Sequence, residues 1–204
     1  MAKQPFRFAY IDAFAGIGLR EPKKRVPPRL FPELIDARAQ GYLEGSARIA
    51  LKVQPRFHKD IVIEHNQRRA ARLAQFRNDF PDKAKDIEIV NADANTFLAD
   101  RCENYSWINL RAVLFLDPFG MEVDWKTIEA IARKKAIDLW ILFPLGVAVN
   151  RLLRTDGRID SSVKNKLTRF WGTEEWFELF YRQENLPLLN GAPSDGKSQL
   201  ILTV

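Results

Sequence analysis

The sequence has few residues that could bind a metal ion through sulfur or imidazole. Cys102 is its single cysteine, and His58 and His65 are its two histidines. One thiol excludes an internal disulfide and a cysteine-cluster metal site, and two histidines disfavour a multi-histidine site. We therefore expect no structural metal in this chain.

Long apolar runs are also missing. No stretch reaches the length of a membrane-spanning helix, and the first residues, Met1-Ala2-Lys3-Gln4, do not begin the apolar region of a signal peptide. These absences predict a cytoplasmic protein with no membrane partner.

The length suits one domain with a substantial core better than two domains. We predict a single domain over residues 1–204. The net charge of +6 favours a polyanionic partner such as nucleic acid.

Short apolar runs alternate with segments of helical periodicity along the chain. This alternation is typical of βαβ units with right-handed crossovers. It predicts an α/β fold: a doubly wound, mostly parallel sheet with helices on both faces, in the Rossmann-like class. The last predicted strand stops at the end of the sequence, which leaves open that the domain is C-terminally incomplete. The predicted strands are Arg7–Ala13, Lys59–Glu64, Asp86–Val90, Arg111–Leu116, Ala136–Phe143 and Gln199–Val204.

Helices are predicted between the strands, from apolar residues three or four apart. Ser46 is expected to cap the first regular helix, and the segment at about 155–185 has a less regular helical pattern. The other predicted helices are Pro32–Ala39, Asn66–Phe80, Thr96–Asn104, Trp125–Lys135, Gly146–Leu153, Ser162–Phe170 and Thr173–Glu184.

The first strand runs into a turn of small residues, YIDAFAGIG over residues 10–18. Gly16 and Gly18 let the backbone approach a ligand closely. The third glycine of the dinucleotide-binding fingerprint is missing, and the Asp12 carboxylate would repel a pyrophosphate. A cationic ligand fits better, such as the ammonium and sulfonium groups of S-adenosyl-L-methionine (SAM). We expect Asp12 and the two glycines to hold the methionine end of SAM, with Phe14 beside them.

Acidic residues mark the ends of four consecutive predicted strands: Asp12, Glu64, Asp93 and Asp117. In a doubly wound sheet these ends meet at one edge, where ligands bind. We expect Glu64 to accept hydrogen bonds from the ribose hydroxyls. Asp93, with Ala94 beside it, would accept one from the adenine amino group. His65 is interpreted as a surface residue rather than a catalyst.

The fourth strand ends in Asp117-Pro118-Phe119-Gly120, which we interpret as the reactive segment. The Asp117 carboxylate and the Pro118 carbonyl could accept hydrogen bonds from the amine of a base, while Phe119 stacks on the ring. This would be catalysis by positioning, and a base within a duplex would have to be flipped out. The alternative is that Asp-Pro only turns the chain and Phe119 fills the core.

An inserted basic loop at about residues 20–44 separates the glycine turn from the next helix. We predict that its cations contact the phosphates of a nucleic acid, since loops at this edge often handle substrate. The alternative is a solvated insertion that adds charge for solubility. The cations concerned are Lys23, Lys24, Arg25 and Arg29.

These motifs together resemble the three-Cys-motif partner protein (TcmP) family, which belongs with the class I SAM-dependent methyltransferases. The resemblance covers residues 10–153. It is carried by YIDAFAGIG, EGSARIAL from Glu44, VIE ending at Glu64, NADANTFL from Asn91, FLDPFG from Phe115 and FPLGVAVNRLL from Phe143.

The resemblance implies a separately encoded partner with three cysteines, an iron–sulfur protein of the radical-SAM type. The DPFG segment is similar to that of tRNA guanine-amine dimethyltransferases. It departs from the Asp-Pro-Pro-aromatic motif of amino-methylating DNA enzymes at Phe119 and Gly120. A SAM-dependent methyltransferase acting on a nucleic-acid amine is the expected function. A non-catalytic SAM-binding regulatory or partner subunit, and a dinucleotide oxidoreductase, are the alternatives.

Overall fold

The computed structural model describes residues 6–18, 44–143 and 159–181. Within them, five strands pair in the order β3-β2-β1-β4-β5, and every pairing is parallel. The strands are β1 Arg7–Asp12, β2 Lys59–Ile63, β3 Ile87–Val90, β4 Leu110–Leu116 and β5 Ile137–Ile141.

Helices follow the strands in alternation. A single 3₁₀ turn, Pro81–Lys83, precedes β3. The helices are α1 Ser46–Lys52, α2 Gln67–Leu73, α3 Phe76–Asp79, α4 Ala94–Asn104, α5 Trp125–Lys134, α6 Ser161–Trp171 and α7 Glu175–Tyr181.

Two apolar cores cover opposite faces of the sheet. One packs Leu98 of α4 and Ile131 of α5 against Ile11 of β1. The other packs Leu51 of α1 and Phe76 of α3 on the far side. A sheet buried on both faces explains why its strands are apolar nearly throughout. The predicted doubly wound α/β fold is therefore confirmed.

Three local predictions were wrong. Ser46 does not cap α1: Gly45 occupies the cap position, and the Ser46 hydroxyl donates to Asp12 instead. The helix predicted over residues 66–80 is two helices, broken at Ala74 and Gln75. Helix α4 begins at Ala94 rather than Thr96, because Asp93 caps it.

Several predicted features lie outside the described residues. They are the basic loop up to residue 43, the helices at 32–39 and 146–153, and the strand at 199–204. None of the helices within the described ranges has the length and apolar character needed to cross a membrane.

Candidate functional site at the carboxyl edge of the sheet

The strand order brings the four predicted carboxylates to one edge. Asp12 is in register with Val62 of β2 and with Phe115 of β4. Ile63 at the end of β2 is in register with Val90 at the end of β3. The acidic residues that end or follow β1 to β4 therefore stand side by side along the carboxyl edge. This edge includes β1, where the strand order reverses and where ligands bind in such sheets.

Asp12 lies inside the protein rather than facing the edge. Its side chain is 0 % exposed. The carboxylate accepts hydrogen bonds from the Ser46 hydroxyl, the Phe14 backbone N–H (3.3 Å) and, more weakly, the Tyr10 hydroxyl (3.5 Å). Burial raises the pKa of Asp12 to about 6. The hydrogen bonds from Ser46 and Phe14 lower this pKa, whereas the negative charge of Asp117 raises it further. The structure thus gives this carboxylate protein partners rather than open space.

The glycine turn is built as a tight reversal after β1. The Ala13 backbone N–H donates to Phe115 in β4, and that of Ala15 to Ile63 in β2. Gly16 and Gly18 have φ of +61° and +70°, the left-handed conformation that favours glycine.

The two glycines differ in what surrounds them. A β-carbon at Gly18 would come 2.2 Å from the ring of Phe76, whereas one at Gly16 would meet no atom of the described residues within 4 Å. Among the described residues, Gly18 is therefore constrained by packing and Gly16 is not.

Glu64 closes the end of β2 with a mostly buried side chain, 7 % exposed. Its Oε1 accepts the Asn66 backbone N–H at 2.7 Å, and its Oε2 lies 3.7 Å from Arg69 Nη1. One oxygen is thus committed to the turn. Within the described ranges, the other oxygen has only a long ion pair with an exposed arginine, so it is the one that could accept from a ligand hydroxyl. His65, beside it, is exposed as expected.

Asp93 is exposed and caps helix α4. Its Oδ1 accepts from the Thr96 backbone N–H (2.9 Å) and from the Thr96 hydroxyl (3.0 Å). Ala94 next to it is buried. Asp93 could cap the helix and bind a ligand at the same time. A carboxylate has two oxygens, and only Oδ1 accepts the two bonds from Thr96.

The segment after β4 presents its side chains in three different ways. Asp117 is half-buried, Pro118 is buried and Phe119 is 93 % exposed. The alternative interpretation of Phe119 as a core residue is therefore excluded. Asp117 is close enough to Asp12 for its charge to raise the pKa of that carboxyl.

Two asparagines to which the sequence pattern assigns no role brace this edge. Asn91 Nδ2 donates to the carbonyls of Glu64 and His65, both at 2.8 Å, and ties the end of β3 to that of β2. Asn95 Oδ1 accepts from the Asp124 backbone N–H and the Thr127 hydroxyl. Asn95 Nδ2 donates to the Glu122 carbonyl, so this residue fixes the loop that follows Phe119.

Two cavities lined by described residues lie beside the residues that brace this edge. One, of about 440 Å³, is a groove between α4 and α5 bordered by Ala99 and Ala130. The other, of about 320 Å³, is apolar and borders the Asp12 network at Tyr10 and Ser46. Neither includes Glu64, Asp93 or Asp117. The case for a site at the edge therefore rests on the grouping of polar side chains.

Other chemistry-bearing residues stand apart from the edge. Cys102 is buried in the core, and burial raises the pKa of its thiol, which disfavours the reactive thiolate. The described residues contain no group of three or more histidine, cysteine, aspartate or glutamate side chains placed to hold a metal. The four predicted phosphate contacts, Lys23, Lys24, Arg25 and Arg29, lie outside the described residues.

Comparison with known proteins identifies similarity to solved structures. No protein-family model matches this sequence, and no curated protein matches it. Among solved structures, a conserved hypothetical protein from Streptococcus pyogenes is similar, with 18% sequence identity and a TM-score of 0.38. The match covers 65% of this chain and 62% of that protein, so the chain spans less than two thirds of the length of this relative.

Proposed function

We propose that this chain is a SAM-dependent methyltransferase of the TcmP type, acting on an amine of a nucleic acid together with a three-cysteine-motif partner. One observation carries the proposal: the half-buried Asp117 and the exposed Phe119 follow the strand next to the glycine turn. An acceptor for an amine and a stacking surface for a base thus stand beside the place proposed for a cationic methyl donor.

The residues at the edge fit the cofactor in three respects. Among the described residues, no atom lies within 4 Å of a β-carbon placed at Gly16, the second oxygen of Glu64 has only a long ion pair, and Asp93 keeps one oxygen outside its cap. Glu64 would hold the ribose and Asp93 the adenine amine. Asp12 would act on the methionine end through the turn that it holds, since its own carboxylate is buried.

SAM, when bound, supplies a methyl group on a positively charged sulfur. Asp117 would accept a hydrogen bond from the substrate amine and take the proton that the nitrogen loses on methylation. Phe119 would stack on the base, an interaction worth about 1–3 kcal/mol. The positioning of the two groups by β4 and by the Asn95-braced loop would supply most of the catalysis.

A non-catalytic SAM-binding subunit is the second candidate. The near-complete exposure of Phe119 favours it, because a large aromatic side chain without packing contacts also suits a surface that a partner protein covers.

The two candidates separate in one pair of measurements. Calorimetry with SAM and with S-adenosylhomocysteine tests the cofactor site. A labelled-methyl assay on bulk RNA and DNA, with the partner present, tests transfer. The enzyme proposal expects binding and transfer, with transfer lost in Asp117→Asn and kept in Asp138→Asn, an exposed aspartate of β5. Binding without transfer would favour the subunit, and no binding would reject both.

A further inference from the structure

Residues far apart in sequence meet at the base of the glycine turn. The Gly45 backbone N–H donates to the Gly18 carbonyl oxygen at 3.0 Å. A β-carbon at Gly45 would lie 2.9 Å from the Gly18 carbonyl carbon, so the approach is as close as the backbone allows. The start of α1 is thus docked against the turn, and this contact places Ser46 over β1.

The Ser46 hydroxyl donates to Asp12 Oδ2, while Asp12 Oδ1 accepts the backbone N–H of Phe14. The carboxylate therefore connects a helix residue on one side to the backbone of the turn on the other. Hydrogen bonds to a buried charged group are stronger than neutral ones, which makes the connection stiff.

We propose that Ser46 is a positioning residue of the SAM site: its hydroxyl fixes the Asp12 carboxylate, and Asp12 holds the Phe14–Gly18 backbone in the shape that the cofactor binds. The inference rests on the proposed function and adds to it a residue that no cofactor contact would reveal. The role assigned to Ser46 is the donation of its hydroxyl hydrogen to Asp12 rather than a contact with the cofactor.

The charge environment gives the proposal a signature in pH. The groups that act on Asp12 are the hydroxyls of Tyr10 and Ser46, the Phe14 N–H and the carboxyl of Asp117, the residue directly after β4. Loss of the Ser46 bond removes an interaction that lowers the pKa of Asp12. Asp12 then becomes neutral at a higher pH, and the SAM affinity that depends on its charge falls at a higher pH too.

The test compares three single substitutions in the full chain by calorimetry with SAM across pH 5 to 8. Ser46→Ala is expected to raise the dissociation constant about tenfold or more and to move the pH midpoint of binding upward. Ser46→Thr, which keeps the hydroxyl, is expected to restore both. Ser161→Ala is the matched control, because Ser161 also begins a helix but has an exposed side chain.

The outcomes separate this inference from the proposed function. If wild type binds SAM and Ser46→Ala binds it equally well with an unchanged pH profile, the inference is wrong and the proposed function stands. If Ser46→Ala lowers the melting temperature but leaves the pH midpoint in place, Ser46 is structural alone and the inference again fails. A wild-type chain that does not bind SAM refutes both.

Discussion

Gly18 lies directly against the ring of Phe76, with no room for a β-carbon between them. The contact joins the turn after β1 to helix α3 and to the core on that face of the sheet. It explains why one of the two glycines in the turn is needed for packing, independently of any ligand.

Gly18→Ala should therefore destabilise the protein more than Gly16→Ala. Both substitutions place alanine in a left-handed conformation, at a cost of about 1–2 kcal/mol. Only the change at Gly18 also displaces the Phe76 ring, which should add about 1–3 kcal/mol. Urea denaturation of the two variants measures the difference. Equal losses would mean that Phe76 moves aside freely.

Stability should fall as the pH rises from about 4 to about 6. Burial raises the pKa of Asp12 and of Asp60 from the ordinary 3.8 to about 6 in the folded protein. Between these values the folded state binds protons that the unfolded state has released, so each pH step upward costs stability. Above about pH 7 both states are ionised and this contribution is constant.

Asp12→Asn should remove part of this loss of stability with rising pH. The shift at Asp12 corresponds to at most about 3 kcal/mol across the window. Thermal unfolding from pH 4 to 8 measures it, with Asp138→Asn as the exposed control. A wild-type stability that rises through this window would contradict the assignment.

Asp60 and Lys83 are buried residues of opposite charge that interact without a direct ion pair or hydrogen bond. Both side chains are buried, and their charged atoms have no hydrogen-bond partner among the described residues. The charge of Lys83 opposes the rise in the pKa of Asp60. Lys83→Met should destabilise the fold by about 1–2 kcal/mol, because it removes a cation whose charge favours the ionised form of the buried Asp60 from beyond ion-pair distance. The double variant Asp60→Asn/Lys83→Met should be more stable than Lys83→Met alone in urea denaturation. An equal or lower stability of the double variant would exclude a favourable charge interaction between Asp60 and Lys83.

Removing the Phe119 ring should separate activity from stability. Because the side chain is 93 % exposed, Phe119→Ala should change the unfolding free energy by less than about 0.5 kcal/mol. Methyl transfer should fall about tenfold or more if the ring stacks on a base, and Phe119→Tyr should retain it. Ile108→Ala is the control, since Ile108 is likewise exposed, at 79 %. Full transfer activity in Phe119→Ala would remove the stacking role.

The four cations of the inserted loop should set the salt dependence of nucleic-acid binding. Replacing Lys23, Lys24, Arg25 and Arg29 by glutamine should lower the slope of log affinity against log salt by about 0.7–0.9 for each phosphate that the loop no longer neutralises. The matched control replaces Arg68 and Arg72, exposed arginines of α2 that we interpret as a solvated helix face. An unchanged slope in the loop variant would remove the role of the loop, and equal flattening in both would indicate an unspecific effect of net charge.

The strands were predictable because each contains a short apolar run, and the central strands β1 and β2 are buried over most of their length. The ends of β1 and β2 were predicted to within one residue, and the acidic row followed from the parallel arrangement. The start of α4 was placed two residues late, because Asp93 caps the helix through Thr96 and the sequence does not distinguish a cap from a free loop residue.

The side-chain hydrogen bonds that join separate segments at the carboxyl edge of the sheet could not be predicted. Ser46 looked like a helix cap, yet its hydroxyl goes to Asp12, and that choice depends on how α1 docks on the turn. The bonds of Asn95 to Asp124 and Thr127 likewise join segments whose distance in space no local pattern encodes. Phe76, the first residue of α3 after the break, packs in the core against Gly18, a long-range contact that no local pattern encodes either.

The central place of β1 has a consequence for biosynthesis. Arg7 pairs with Leu110, and Ala9 pairs with Lys59, so the first strand made lies between two strands that leave the ribosome much later. Until β4 has been translated, β1 has an unpaired edge of apolar residues. Such long-range parallel pairing forms slowly and exposes the nascent chain to aggregation. We expect that a ribosome-bound chain ending before Leu110 remains open to proteolysis, and that protection of β1 appears only once β4 has emerged.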